Sequence, residues 1–353
     1  MTDETAARAS GYPKIELHVH LEGAIRPATL LALAKKNNAV LPVSTLAELE
    51  AFYEFDDFEH FIDVWTVTTD VLDDADDFRR VVVDYAKEAA SFGAVYLEGI
   101  VSPSQYYLRG IEGRELFEGF TDGIQEAWEQ TGVRVRLTPD IDRGRPVELS
   151  RQVIDDAILF RDRGIVGIGL GGRERAAPAS TYTELFQVVR DAGLASVPHA
   201  GEDDGPQSVR DAIDLLGASR VRHGIRAADD PALMQELVER GIVLDVSITS
   251  NLRTKVTADV ASHPLPRLLA AGVGVTINTD DPAMFGTDLG HEHELALGLG
   301  ATPRDMFLAG VAGQVGGAEI GAWLEGVGAE AWPAGAAGAP AASAAHDAAP
   351  DAR

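Results

Sequence analysis

Apolar and polar residues alternate with period two near the start of the chain. Leu17, Val19 and Leu21 fall on one face, and Glu16, His18, His20 and Glu22 on the other. Alternation of this kind predicts a strand, yet a buried strand does not carry four ionisable groups on one face without partners. Including this first run at 14–20, eight segments read as strands, the others at 94–100, 133–138, 165–170, 195–199, 220–223, 242–247 and 273–279. Between most of them the apolar spacing changes to the three-and-four repeat of an amphipathic helix, as at 78–92, 181–192 and 231–240. Glycines at 93, 132, 164, 193, 241 and 272 stand where each helix hands over to a strand, the position a helix C-cap favours. Strands alternating with helices have parallel connections, and their number predicts an α/β fold, a closed (β/α)8 TIM barrel. An open doubly wound sheet is the alternative, but no strand is followed by G-x-G-x-x-G.

The stretch between the first and second strands is long enough for a helical insertion, with "LALAKKNN" at 31–38 and then "FYEFDDFEHFIDVWTVTTDVL" at 52–72. It reads equally as extra helices packed on the barrel or as a lid over its mouth. Residues 1–11 are small and polar, and from Trp332 the chain becomes an Ala/Gly/Pro tail. Both ends are expected to be disordered, leaving 12–331 as a single barrel domain and 332–353 as the tail.

Composition narrows the chemistry. The chain has no cysteine, so a metal would be held by histidine and carboxylate. A formal charge of −26 over 353 residues repels nucleic-acid phosphates and anionic membranes. No apolar run approaches a membrane span, and "MTDETAARAS" is not a signal peptide. The expected partner is a small molecule and the expected location cytoplasmic.

Barrel enzymes keep their chemistry at the carboxyl ends of strands. The first strand ends in His18-Val19-His20, the fifth in His199, the sixth in His223, and the eighth runs into Asp280-Asp281. Two histidines one residue apart on a strand share a face, roughly 6.5–7 Å apart along it. A third imidazole from His199 and a carboxylate from Asp280 complete an N3O set, which suits Zn2+ better than Mg2+ or Ca2+. Fe2+ and Mn2+ fit the same donors. A coordination position left to water makes such a site catalytic. Glu202, three residues beyond His199, is a candidate general acid or base, or a helix N-terminal carboxylate. His223 is either a further nitrogen ligand or a base and electrostatic stabiliser beside the metal. Successive strand residues face opposite ways, so Asp281 reaches the substrate only if the chain turns after Asp280.

Other metal-like features carry less. "HEHE" at 291–294 reads as a loop or helix start, where i and i+2 do not share a face. His60 and His263 are isolated. "GLGG" at 169–172 lacks the Lys-Ser/Thr of a phosphate loop, though glycines there let a ligand approach backbone N–H groups.

The motifs "KIELHVHLEGAIRP", "VPHAGE", "RVRHGIRA", "SITSN" and "NTDDPAMF", in that order over roughly residues 12–315, together resemble the adenosine deaminase family of amidohydrolase-type barrels. The resemblance implies one Zn2+ held by His18, His20, His199 and Asp280, and hydrolytic release of ammonia from a 6-aminopurine. It implies that Glu202 protonates the ring nitrogen beside the amino-bearing carbon and that His223 orients and helps deprotonate the attacking water. Asp281 and the Gly172 N–H would contact the purine, and Glu22 the sugar. Many adenosine deaminases have Asp where this chain has Glu22. "RHGIR" and "SNLRT" are similar to actinobacterial members that deaminate 6-aminodeoxyfutalosine on a menaquinone route, a substrate carrying a benzoate. Arg222, Arg253 and Arg173 are candidate partners for that group, set against the commoner role of such residues as structural charges. Free adenine is the alternative substrate, and a catalytically silent ligand-binding barrel the alternative class. A two-metal hydrolase with a carboxylated lysine lacks that lysine at the end of the fourth strand. After Gly316 the chain departs from the family pattern, so the last barrel helix is expected to be short or irregular.

Overall fold

In the computed structural model, which describes residues 11–333, the expected strands form one parallel ring. Strand β1 (Lys14–His20) pairs with β2 (Ala94–Ile100), and β2 with β3 (Arg134–Leu137). Strand β4 (Asp140–Asp142) pairs with β5 (Gly167–Gly171), and β5 with β6 (Ala195–Ser196). Strand β7 (His199–Ala200) pairs with β8 (Arg220–His223), β8 with β9 (Val243–Val246), and β9 with β10 (Val275–Ile277). Parallel bridges Leu137–Ile165 and Val19–Asp280 close the remaining gaps.

Ten strands thus occupy eight barrel positions, and two prolines explain the difference. Pro139 separates β3 from β4, and Pro198 separates β6 from β7; proline has no N–H to give a ladder. The chain nevertheless continues in line, with Asp140 N–H donating to Val101 O and Arg222 N–H to Pro198 O, at 2.9 and 3.0 Å. The third barrel strand therefore reaches Asp142, beyond the expected end at 138. The six handover glycines all have positive φ, between 66° and 110°.

The insertion after β1 consists of α1 (Pro27–Lys36), α2 (Leu46–Phe52), α3 (Phe58–Thr68) and α4 (Ala75–Ser91). Asp57 caps α3, accepting from His60 N–H at 2.9 Å. Phe61 of α3 packs on Phe55 and Phe285, with ring centroids 5.3 and 4.9 Å away. This seats the helix across the carboxyl end of the barrel.

The C-terminal expectation needs correction. Residues Ala318–Ala331 form a regular 14-residue helix. Ile320 and Leu324, one turn apart, bury against Ile15, Leu17, Tyr96 and Phe307, and Trp332 packs on Phe307 in a tilted pair with ring centroids 5.2 Å apart. The glycines and alanines there masked an ordinary apolar stripe. The tail reading for 334–353, and that for 1–10, lie outside the described residues.

Candidate metal centre and its pocket

Residues β1 and β7 and the turn after β10 bring four donor atoms together: His18 Nε2, His20 Nε2, His199 Nε2 and Asp280 Oδ1. His199 Nε2 lies 3.2 Å from both other Nε2 atoms, and Asp280 Oδ1 is 3.2 and 3.4 Å from His18 and His20. Tetrahedral ligands about 2.0–2.1 Å from one zinc ion stand about 3.3–3.4 Å apart, so the cluster has the dimensions of a metal cage. Its protonation fits as well. Leu170 O can only accept, so His199 Nδ1, 3.2 Å away, carries the proton and Nε2 presents a lone pair inward. Burial first, then mutual repulsion among the neighbouring positive groups, pushes His199 well below the ordinary histidine value. Burial likewise takes His18 to about 4 and His20 to about 3. All three are neutral at pH 7, as ligands must be. Burial raises Asp280, but the facing histidines outweigh it and hold the carboxylate ionised.

The backbone takes an uncommon conformation to reach this arrangement. Asp280 and His223 have φ of +64° and +58°, the left-handed region that most side chains avoid but Asn, Asp and His enter more readily, and that collects at functional sites. The turn at Asp280 aims its carboxylate at the histidines and sends Asp281 into the pocket, the condition on which a substrate role for Asp281 depended. Asp280 is fixed by backbone bonds to β1, with its N–H to His18 O at 3.1 Å and its O from His20 N–H at 2.7 Å. Ser250 Oγ donates to its second oxygen at 2.6 Å.

Glu16, the fourth ionisable residue of the β1 polar face, has a structural role there. Its carboxyl accepts from Thr279 N–H and Oγ and from Tyr85 OH, at 3.0, 2.6 and 2.6 Å, so it staples the residue preceding Asp280. Burial pushes it up to about 7.

Beside the cluster lies a cavity of about 580 Å3 lined by, among others, His20, Gly172, His199, Glu202, His223 and Asp281. Glu202 is buried, with Oε2 3.4 Å from His223 Nε2. Burial, then the charges of Asp280 and Glu174, raise it well above the usual carboxylate range. Gly172, at φ +79°, lines the wall. Glu22, expected at the substrate, is buried but not among the residues that line the cavity: Oε1 accepts from the N–H of Ser102, which does line it, at 2.8 Å, and burial pushes the carboxyl up to about 8. Gly23 must lack a side chain, since a Cβ there would lie 1.7 Å from Asp281 Oδ1.

Helix α3 roofs the cavity with Phe58, Phe61, Ile62 and Trp65, so the insertion both packs on the barrel and covers its mouth. Trp65 Nε1 donates to Asp281 Oδ1 at 2.7 Å. Arg173 bridges to Glu59 and Asp63 of α3, and Arg253 pairs with Glu54 at 3.2 Å. Arg222 is fully buried inside the barrel, bonded to Asp140 and to Thr138 Oγ1. Arg222 is therefore committed inside the barrel and Arg253 pairs with Glu54, while Arg173, paired with Glu59 and Asp63, also lines the cavity.

Several residues at the site had no signal in the sequence pattern. Asp140, hidden beyond Pro139, joins Arg222 to His199, whose Nδ1 is 3.4 Å from its Oδ2. His263 buttresses His223: Leu265 N–H donates to His263 Nδ1 at 3.1 Å, His263 Nε2 donates to Asn251 Oδ1 at 3.2 Å, and Asn251 Nδ2 faces His223 Nδ1 at 3.5 Å. "HEHE" does not gather into a ligand set; Glu292 accepts from Ile248 and Thr249 N–H, at 2.9 and 3.2 Å, and His293 meets Tyr12 OH at 3.0 Å.

A parallel barrel with histidine and carboxylate donors converging at its carboxyl end is the architecture of a metal-dependent enzyme site. The chain belongs to the adenosine deaminase family, whose model, described as "Adenosine deaminase", matches residues 13–302, and is a hydrolytic deaminase acting on C–N bonds. Aminodeoxyfutalosine deaminase of Acidothermus cellulolyticus is 47% identical over 341 residues, covering 94% of this chain and 96% of that protein. The crystal structure of adenine deaminase from Arthrobacter aurescens superposes with a TM-score of 0.85 at 30% identity, covering 91% and 99% of the two chains. An amidohydrolase from Burkholderia ambifaria with bound Zn gives a TM-score of 0.85 at 27% identity over 94% and 93%. Among the described residues no helix is long and apolar enough to cross a membrane.

Proposed function

We propose that the chain is a zinc-dependent deaminase of a 6-aminopurine nucleoside bearing an acidic group, with 6-aminodeoxyfutalosine the leading substrate. The observation that carries this reading is the His18/His20/His199/Asp280 cage at the floor of a cavity that also holds Glu202, His223 and Asp281. Zn2+ is the metal this N3O donor set suits best, and when bound it supplies Lewis-acid activation of water. Protonated Glu202 gives its proton to the ring nitrogen beside the amino-bearing carbon as water adds to that carbon. His223 Nε2 faces the attacking oxygen, orients it and relays its proton to the amino nitrogen, so that the C–N bond breaks with ammonia as the leaving group while the proton of the added hydroxyl returns to Glu202. Asp281 and the Gly172 N–H hold the purine, and Glu22 acts at the sugar end through Ser102, which lines the cavity and donates its N–H to the Glu22 carboxyl.

Two features favour a large nucleoside over free adenine. A cavity of about 580 Å3 is drug-sized, more room than a bare purine fills. Arg145 also lines it and forms no ion pair among the described residues, leaving a guanidinium for a carboxylate. Identity to the Acidothermus deaminase over nearly its whole length supports the same choice, and with it a place in menaquinone biosynthesis.

The test is ammonia release from adenine, adenosine, 5′-deoxyadenosine, S-adenosylhomocysteine and 6-aminodeoxyfutalosine. The expected order of kcat/KM places 6-aminodeoxyfutalosine first, by about tenfold or more for one charge-assisted contact. Fastest turnover of adenine would contradict the proposal.

A further inference from the structure

Glu174 lies outside the metal cage, and the steps above make no use of it. It follows β5 directly, two residues beyond Gly172, and its side chain is turned inward and buried. Its carboxylate accepts from four consecutive backbone N–H groups: Gly201, then Glu202, Asp203 and Asp204 at 3.1, 3.2 and 3.1 Å. Ser208 Oγ donates to it as well. The loop 201–204 is thus wrapped around a single anion, the arrangement successive N–H groups adopt in an anion nest, here filled by the chain's own side chain. Burial raises this carboxyl, but the Ser208 hydroxyl, the Arg143 charge and the backbone donors outweigh it and keep it ionised.

The second residue of that loop is Glu202. Its carboxyl faces His223 Nε2 at 3.4 Å, while its backbone is held on both sides. Glu174 takes its N–H, and Arg226 Nε donates to its O at 3.2 Å. The aim of the Glu202 side chain is consequently set by where its backbone is pinned. We propose that Glu174 is the positioning residue for Glu202: by collecting the loop's N–H groups it fixes the height and direction from which the acid reaches the purine ring nitrogen. The same side chain ties that loop to the Gly171–Gly172 segment, so acid and purine wall keep one spacing. The inference rests on the assignment of Glu202 as the acid.

A double-mutant cycle with Glu202→Gln tests it and separates the two claims. Glu174→Gln keeps the volume but replaces an acceptor with an NH2 that opposes the loop's donors. In the wild-type background it is expected to lower kcat about 10- to 100-fold, the cost of a misplacement of about 1 Å, with KM for the nucleoside changed less than about threefold and metal content unchanged. Glu174→Asp, which keeps the charge at shorter reach, is expected to recover part of the loss; it carries the cycle if the Gln variant does not fold. In the Glu202→Gln background either change is expected to cost less than about threefold, since there is no acid left to position. An equal loss in both backgrounds, an unchanged kcat, or a loss confined to KM would overturn the role of Glu174. Near wild-type turnover of Glu202→Gln alone would overturn instead the acid assignment on which it rests.

Discussion

Glu202→Gln is expected to lower kcat by about three orders of magnitude while leaving the metal in place. General acid catalysis by a positioned side chain is worth about 10²- to 10⁴-fold, and glutamine removes the proton with almost no change of shape. The cage uses three histidines and Asp280, so metal content by elemental analysis is expected to match wild type. Glu202 also sets a pH signature. Burial, and then Asp280 and Glu174, raise its affinity for a proton, so the protonated form persists to higher pH than that of an ordinary carboxyl. Only that form is an acid, so the wild-type kcat is expected to fall as pH rises through the Glu202 pKa. The residual rate of the glutamine variant is expected to lack that alkaline limb. A variant that deaminates near the wild-type rate, or keeps the limb, would contradict the assignment.

Replacing Asp280 is expected to have an effect of the opposite kind, on metal before chemistry. Asp280 supplies the one anionic donor of the cage. Asp280→Ala is expected to retain less than about a tenth of an equivalent of metal after dialysis, with deamination lost in proportion. Because Asp280 has φ +64°, alanine adds backbone strain, and Asp280→Asn is the control. Asparagine tolerates that region and can still accept from Ser250, so its loss of metal reports the missing charge. Elemental analysis of both variants, alongside thermal melting, separates the two effects. Full metal occupancy in the asparagine variant would contradict the ligand role.

Much of this site is legible in the chain because period two and strand ends are strong signals. His18 and His20 share a face by alternation alone, and His199, His223 and Asp280 stand where a parallel barrel exposes side chains. What escapes notice is set by long-range partners. Asp140 follows a proline that ends the readable strand, although the third barrel strand continues through it. Glu174 gives no signal until the loop it fastens is placed beside it, and Glu16, conspicuous on the polar face of the first strand, finds its role only once Thr279 is there. His263, isolated in sequence, reaches His223 through Asn251. The arginines follow the commoner structural role set beside the substrate one: acidic residues of the insertion pair with Arg173 and Arg253, and Arg222 meets Asp140 inside the barrel; their partners are distant in sequence and could not be read from it. The final helix was obscured by low complexity, although Ile320 and Leu324 carry the spacing that buries it.

The central claim is that one metal ion in the four-residue cage drives aminopurine deamination. Stripping the protein with a chelator and adding back Zn2+ in measured amounts, with ammonia release followed at each step, tests it most directly. The expected result is loss of turnover on stripping and full recovery at about one equivalent of Zn2+ per chain, the stoichiometry of a single four-donor site. A stripped protein that still releases ammonia at the original rate, or recovery that requires two equivalents, would contradict it.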